Sequence, residues 1–235
     1  MQKLFFIVLL LVNKAYAQAN TATLNLQVCF PQGDYKKTYP VTSSGLIFGI
    51  AHTLKDQPAF SIAGEVGILQ VSGANKYYTG FYNNEYNTFV VASWNHILTF
   101  AATLKVNLLS EDESWKLYID CSFGSNAFVT FSSISRDLYR DPITNTDVTK
   151  FYYSDLHTAW TLRAGGGMEV EIPLGLQKKI ALVFKGSYLY GSNASYYARP
   201  AIHNTHINLA PRSSNTSMLL AETGIRFGIF NKQKE

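Results

Sequence analysis

Two cysteines, Cys29 and Cys121, are too few in a 235-residue chain to make a disulfide scaffold, and no Cys-x-x-Cys pair is present to hold a metal. Charge is also scarce. Asp, Glu, Lys and Arg make up 15% of the residues and sum to a formal +4. No basic face of the kind nucleic acid requires is implied, so no nucleic-acid partner is expected. Beyond residue 12 no apolar run reaches the roughly 20 residues that a membrane-spanning helix needs. No glycine-rich phosphate loop or dinucleotide fingerprint is present, and His52, His96 and His157 are scattered. Neither a cofactor nor a metal is therefore expected.

What is present begins with a leader. Met1-Gln2-Lys3 carries one positive charge, Leu4 to Val12 is continuously apolar, and Ala15-Tyr16-Ala17 is a small-x-small cleavage site. These are the three parts of a secretory signal, so residues 1–17 are assigned to a leader and 18–235 to the mature domain. Cleavage after Ala19 is the near alternative. Removing Lys3 and Lys14 with the leader brings the formal charge to +2.

The mature part reads as eight stretches of alternating apolar and polar residues, the period of a β-strand. In the fourth, Leu98, Phe100, Ala102, Leu104 and Val106 oppose Thr99, Ala101, Thr103, Lys105 and Asn107. In the fifth, Trp115, Leu117, Ile119, Cys121 and Phe123 oppose Lys116, Tyr118, Asp120, Ser122 and Gly124. Links between the stretches alternate in length. Short ones fall at 55–57, 110–114 and about 174–178; long ones at about 31–40, 72–95, 132–157 and 192–216. An even strand count with tight turns at one end and long loops at the other predicts an all-β, eight-stranded antiparallel up-and-down transmembrane barrel, with short periplasmic turns and long extracellular loops.

A soluble sandwich also alternates, and a periplasmic β-sandwich or lipocalin-like binder is the alternative fold. Three features favour the barrel. Several stretches run longer than the roughly 5–6 residues usual in globular sheets. The polar face is rich in glycine and small residues, as a narrow packed lumen requires. Aromatics mark both ends of the apolar bands: Trp115, Phe227 and Phe230 at the short-turn end, and Phe30, Phe131, Trp160 and Tyr190 at the other. Strand parity points ten charges inward: Glu65, Lys105, Lys116, Asp120, Arg163, Glu169, Glu171, Lys185, Glu222 and Arg226. Five acids meet five bases, so an ion network filling the lumen is expected, because buried charges must pair and an eight-stranded lumen has no room for an open channel. The same parity puts Cys29 on the polar face and Cys121 on the apolar one, so no bridge between them is expected.

The last stretch, Glu222-Thr-Gly-Ile-Arg-Phe-Gly-Ile-Phe230, resembles the C-terminal assembly signal of outer-membrane barrels through Glu222, Gly224, Phe227 and Ile229. A five-residue tail, Asn231 to Glu235, departs from the pattern, which usually ends on the aromatic. The mature chain as a whole is similar to the small eight-stranded outer-membrane barrel superfamily, the OmpA/OmpX-like group without a periplasmic domain. The resemblance implies insertion by the barrel-assembly machinery, residence in the lipid of a bacterial outer membrane, and a structural or surface-interaction role.

Some barrels of this size modify lipids. His203-Asn-Thr-His206-Ile-Asn208, with Glu222 downstream, is similar to the lipid A deacylase motif, but Asn208 stands where the serine nucleophile belongs. An amide offers no hydroxyl for a base to activate, so a lipid A acyl hydrolase remains only an alternative to a non-enzymatic barrel. Residues 75–87 are dense in tyrosine and asparagine, a composition suited to recognition. Tyr77, Tyr78, Phe81, Tyr82 and Tyr86 are the candidate contacts to a surface ligand. The competing reading is an aromatic collar at the headgroups.

Overall fold

A computed structural model describes residues 20–54, 57–82, 85–108, 114–136, 150–174, 178–197, 201–203, 206–208 and 211–229. The leader, its cleavage site and Phe230 lie outside the described residues. Eight long strands form a closed, all-antiparallel barrel: β1 Asn20–Pro31, β2 Ser43–Leu54, β3 Gln57–Tyr82, β4 Glu85–Asn107, β5 Trp115–Arg136, β6 Lys150–Leu174, β7 Lys178–Gly191 and, last in the chain, β12 Met218–Ile229. The order around the ring is β2-β1-β12-β7-β6-β5-β4-β3, and β3 pairs back onto β2. The seam joins the two ends of the chain, from Asn20 opposite Ile229 to Pro31 opposite Met218. Closure leaves no bare edge in the ring, so each strand satisfies its backbone groups on its two neighbours.

The period-2 alternation fixes which side chains point where. Leu26 and Phe123 are 61% and 64% exposed on the outer wall, whereas their neighbours Asn25 and Ser122 are 7% and 2% exposed inside. Leu24, Phe48, Ile62, Phe100, Leu104, Leu162, Phe184 and Ile225 continue the outer apolar wall on every side. Trp115 and Phe227 flank it at the short-turn end. Phe30, Trp94, Phe131, Trp160 and Tyr190 flank it at the other, where Trp94 faces Phe131 in register and the Trp160 and Tyr190 rings lie 5.6 Å apart. Cys29 is buried inside, Cys121 is exposed outside, and both thiols are unbridged.

The long connections carry more regular structure than their composition predicts. Residues 72–82 and 85–95 are an extension of the β3–β4 ladder, paired as far as Tyr82 opposite Glu85. The expected loop is therefore a hairpin, consistent with the strand preference of its tyrosines, threonines and phenylalanines. β5 and β6 likewise pair to Ser135 opposite Lys150. Strands of 22–26 residues thus stand beside strands of 12–14, and β3 to β6 rise well past the ring. The first long connection folds into helix α1, Gly33–Thr38. The last holds a hairpin of β8 Asn193–Tyr197 with β11 Pro211–Asn215, and two short strands, β9 Ala201–His203 and β10 His206–Asn208, the second lying beside Phe81 of β3.

The polar character expected of the whole inward face holds only part of the way. At the long-connection end the interior turns apolar: Cys29, Leu69, Val71, Ile97, Phe128, Leu189, Met218 and Leu220 join Tyr35, Tyr39, Ala159, Ala194 and Tyr196 in one buried cluster. Along β1, β4, β5, β6, β7 and β12 the inward parity continues unbroken into this cluster, and on β3 it holds to Val71, where the register shifts.

Candidate functional site

The ten inward charges fall into two groups along the lumen. In the first, Arg163 of β6 pairs with Glu65 of β3, and its Nη1 lies 3.5 Å from Glu222 Oε1 on β12. Ser122 Oγ accepts from Arg163 Nη2 at 2.8 Å and from Nε at 3.2 Å, and Thr103 Oγ1 accepts from Nη2 at 3.4 Å. Asn25 and Gln27 donate their amides to the two Glu222 oxygens at 3.2 and 3.1 Å. Lys185 Nζ sits 2.5 Å from Asp120 Oδ2 and 4.0 Å from Glu65 Oε1. The side chains of Arg163, Glu222, Asp120 and Lys185 are all nearly inaccessible to water.

The second group lies toward the short-turn end. Lys105 pairs with Glu169, and Arg226 Nη1 reaches Glu169 Oε2 at 2.9 Å. Glu171 Oε1 is 2.9 Å from Lys116 Nζ and 3.6 Å from Arg226 Nη2. Lys105 Nζ stands 4.1 Å over the Tyr118 ring, a cation–π contact. Lys116, Glu171 and Arg226 retain 13–19% side-chain exposure, so this group opens gradually toward the turns. The first group holds three carboxylates and two cations and the second two and three. Each therefore carries one formal charge that the other offsets, and ten charges sit in the interior with no net excess.

Above the first group an aromatic cluster of Tyr35, Tyr39, Phe128 and Tyr196 packs at the long-connection end. Gly33 opens α1 with φ +55°, a left-handed turn that a side chain would strain. A six-residue helix is far below the length that is stable alone, and Gln32 supplies no side-chain cap bond, so tertiary contact holds it. The Gln32 amide donates to Ser217 O at 2.9 Å, and Tyr35 and Tyr39 turn one helical face inward. Tyr35 packs against Tyr39, Phe128 and Tyr196 at ring separations of 5.6, 6.2 and 5.5 Å; Tyr39 meets Tyr196 at 5.2 Å. The Tyr196 and Ser214 hydroxyls pair across β8 and β11. Burial, together with the adjoining Tyr39, Cys29 and Tyr196, holds the Tyr35 hydroxyl well above its ordinary titration range. Cys29 Sγ lies 3.2 Å from Met218 Sδ in the same cluster.

The cluster is absent from the sequence reading, although a signal for it exists. Tyr35 and Tyr39 stand at i and i+4, with Asp34 in the first turn and Lys36 and Lys37 in the last, the charge arrangement that complements a helix dipole. Nothing local says that Phe128 and Tyr196, roughly 90 and 160 residues away, complete it.

The remaining candidates divide. Glu222 and Gly224 point inward, Phe227 points outward, and the Ile229 backbone pairs with Asn20 while its side chain lies outside the described residues. Tyr77 is exposed on the β3–β4 hairpin; Tyr78, Phe81, Tyr82 and Tyr86 are described by backbone alone. His203 and His206 pair by backbone beyond the hairpin, whereas Glu222 is held by Arg163, Asn25 and Gln27 inside the barrel. The deacylase-like motif is therefore split between two places. Among the described residues no group of three metal-ligating side chains converges.

No protein-family model matches the chain, and no curated protein matches it in sequence. Solved structures similar to it include Neisserial surface protein A, at 9% identity over 91% of this chain and 100% of that one, TM-score 0.43. A major outer membrane protein from Thermus thermophilus is 11% identical over 90% and 100%, TM-score 0.42. Ail, the attachment invasion locus protein of Yersinia pestis, is 11% identical over 89% and 97%, TM-score 0.40. At these values the functional reading stays with the chain's own residues.

Proposed function

We propose that the mature chain is a bacterial outer-membrane barrel with a structural or surface-interaction role and no catalytic centre. One observation carries this reading: a closed ring whose outer wall is a continuous belt of exposed large apolar side chains and whose inner wall is polar and charged below the apolar cluster at the long-connection end. Soluble proteins rarely expose contiguous apolar surface beyond a few hundred Å². Lipid is the solvent that suits such a wall, with the aromatic rows at its two ends at the headgroup levels. Strands β1, β2 and β12, at 12 residues each, are long enough to cross a hydrocarbon layer of about 30 Å when tilted.

In this reading the two charge groups and the aromatic cluster close the lumen, so the barrel is a filled post rather than a conduit. Its partners are outer-membrane lipid, the barrel-assembly machinery that recognises the last strand, and a surface ligand met by the β3–β4 hairpin. Residues 1–17 direct export and are removed from the mature chain. The sequence-level case against acyl transfer, an asparagine in the nucleophile's place, is supported by the separation of Glu222 from the histidines.

The test is electrophoretic mobility of the urea-washed membrane fraction, boiled against unboiled. A urea-resistant band in the outer membrane that migrates differently when unboiled is the expected result. A urea-extracted or soluble protein without a mobility shift would overturn the reading, because the apolar wall would then have to face a protein partner.

A further inference from the structure

We propose that α1 and the β8–β11 hairpin form a reversible lid on the barrel, poised between a closed state and one that admits water to the lumen from the long-connection side. The inference rests on the membrane-barrel reading and goes beyond it, since a plugged barrel needs no moving part.

Three observations carry it. The lid is structurally separate from the ring: α1 and the hairpin are inserted between ring strands and contribute no strand to the closed sheet. Tyr35 and Tyr196 pack on Phe128 of the ring, Tyr39 packs on Tyr35 and Tyr196, and backbone hydrogen bonds hold the junctions, Gln32 to Ser217 and Ser192 to Trp160. Second, the central residue of that packing is imperfectly satisfied. The Tyr35 hydroxyl has no hydrogen-bond partner among the described residues, although the residue is 1% exposed. A buried hydroxyl without a partner opposes the closed state and is relieved by water in the open one. Third, what lies beneath is also polar and unmatched. Asn126 is the next inward position below Phe128 on β5; it is wholly buried, and neither its Oδ1 nor its Nδ2 has a partner among the described residues. Ring burial favours closing while Tyr35 and Asn126 favour water, so the closed state is held by a difference between opposing contributions.

The outer face of α1 is wet. Asp34 and Lys37 form an exposed ion pair at 2.6 Å, so the lid presents charge to the exterior and rings to the barrel. β1 and β12 are paired through Pro31 and Met218 up to the point where α1 departs, so the ring ladder ends where the lid begins.

Cys29 reports on the lid directly, because it is buried in the cluster that the lid covers. In a Cys121→Ser background it is the sole thiol. Protein reconstituted in phosphatidylcholine vesicles is treated with a charged, membrane-impermeant maleimide, and the labelling rate is followed by mass. Tyr35→Ala, which removes the central ring, should label about tenfold faster than the parent. Tyr35→Phe, which keeps the ring and removes the unmatched hydroxyl, should label about threefold slower. Opposite directions from two substitutions at one position are not expected of a residue that merely fills space. Tyr35→Phe labelled as fast as the parent or faster would overturn the lid, as would Tyr35→Ala at the parental rate with its heat-dependent mobility shift retained. If Tyr35→Ala loses that shift, the Tyr35→Phe rate decides alone. A parent chain lacking the shift would sink the barrel reading and the lid with it, whereas a shifted parent with the wrong rates sinks only the lid.

Discussion

Arg163 holds two carboxylates from opposite walls of the barrel, Glu65 on β3 and Glu222 on β12, while Ser122 and Thr103 occupy its remaining donors. Removing it leaves Glu222 with no cation among the described residues and Glu65 with Lys185 alone at 4.0 Å, and an uncompensated buried charge costs about 3–5 kcal/mol. Arg163→Met should therefore lower the urea midpoint of the barrel in detergent by much more than Lys116→Met, whose partner Glu171 keeps both partial exposure and Arg226. Adding Glu65→Gln to Arg163→Met should recover part of the loss, since neutralising the stranded anion removes the penalty. Equal midpoints for Arg163→Met and Lys116→Met would show that water reaches the first group as readily as the second. At this scale the sequence was informative in one respect. Parity assigned each charge to a face, but the partner of each charge was not readable. Arg163 and Glu65 are 98 positions apart, and only the stagger of the strands around the ring brings them level.

Elements differ in how independent they are of the ring. The β3–β4 hairpin above Gln70 pairs within itself and against β5, while the ring section below, from Phe60 opposite Val106 to Gln70 opposite His96, has its own unbroken ladder. Deleting residues 75–87 should therefore leave a barrel with an unchanged mobility shift. If the hairpin carries the surface role, the same deletion should abolish adhesion of cells displaying the protein. Unchanged adhesion with the barrel intact would remove Tyr77, Tyr78, Phe81, Tyr82 and Tyr86 from consideration as contacts. Where the alternation in the sequence places a long link over 72–95, residues 72–82 and 85–95 are paired strand. Tyrosine and threonine also favour extended pairing, and Thr79 and Thr88 meet across the ladder at 2.9 Å.

The whole molecule depends on one seam, where the first and last strands meet. Gly224 sits at that seam opposite Asn25, and a Cβ on it would lie 2.2 Å from Leu24 O and 2.3 Å from Asn25 Oδ1. Backbone cannot yield at that point without opening the β1–β12 ladder. Gly224→Ala should lose most of the heat-shifted band in membranes, whereas Gly228→Ala, with nothing within 4 Å of its Cβ position, should keep it. A normal band from Gly224→Ala would mean that the seam tolerates a register shift. Two glycines four residues apart on one strand thus have different duties, and the assembly-signal pattern singled out the one that the packing also requires.

Alternation of apolar and polar residues is a property of neighbours in the chain, so the sequence by itself determined the eight ring strands (though not the full length of β3 to β6), their inner and outer faces, the placement of both cysteines and where the three short links fall between strands. Those features follow from the two-residue period and need no knowledge of what lies across the barrel. Only the tertiary structure decided how the ten charges divide into two offsetting groups, that the upper lumen is apolar, and that α1 folds back to pack Tyr35 and Tyr39 into it. Each of these depends on residues from distant strands arriving at one height, which is set by the tilt and stagger of a closed sheet and by the docking of inserted segments on its rim.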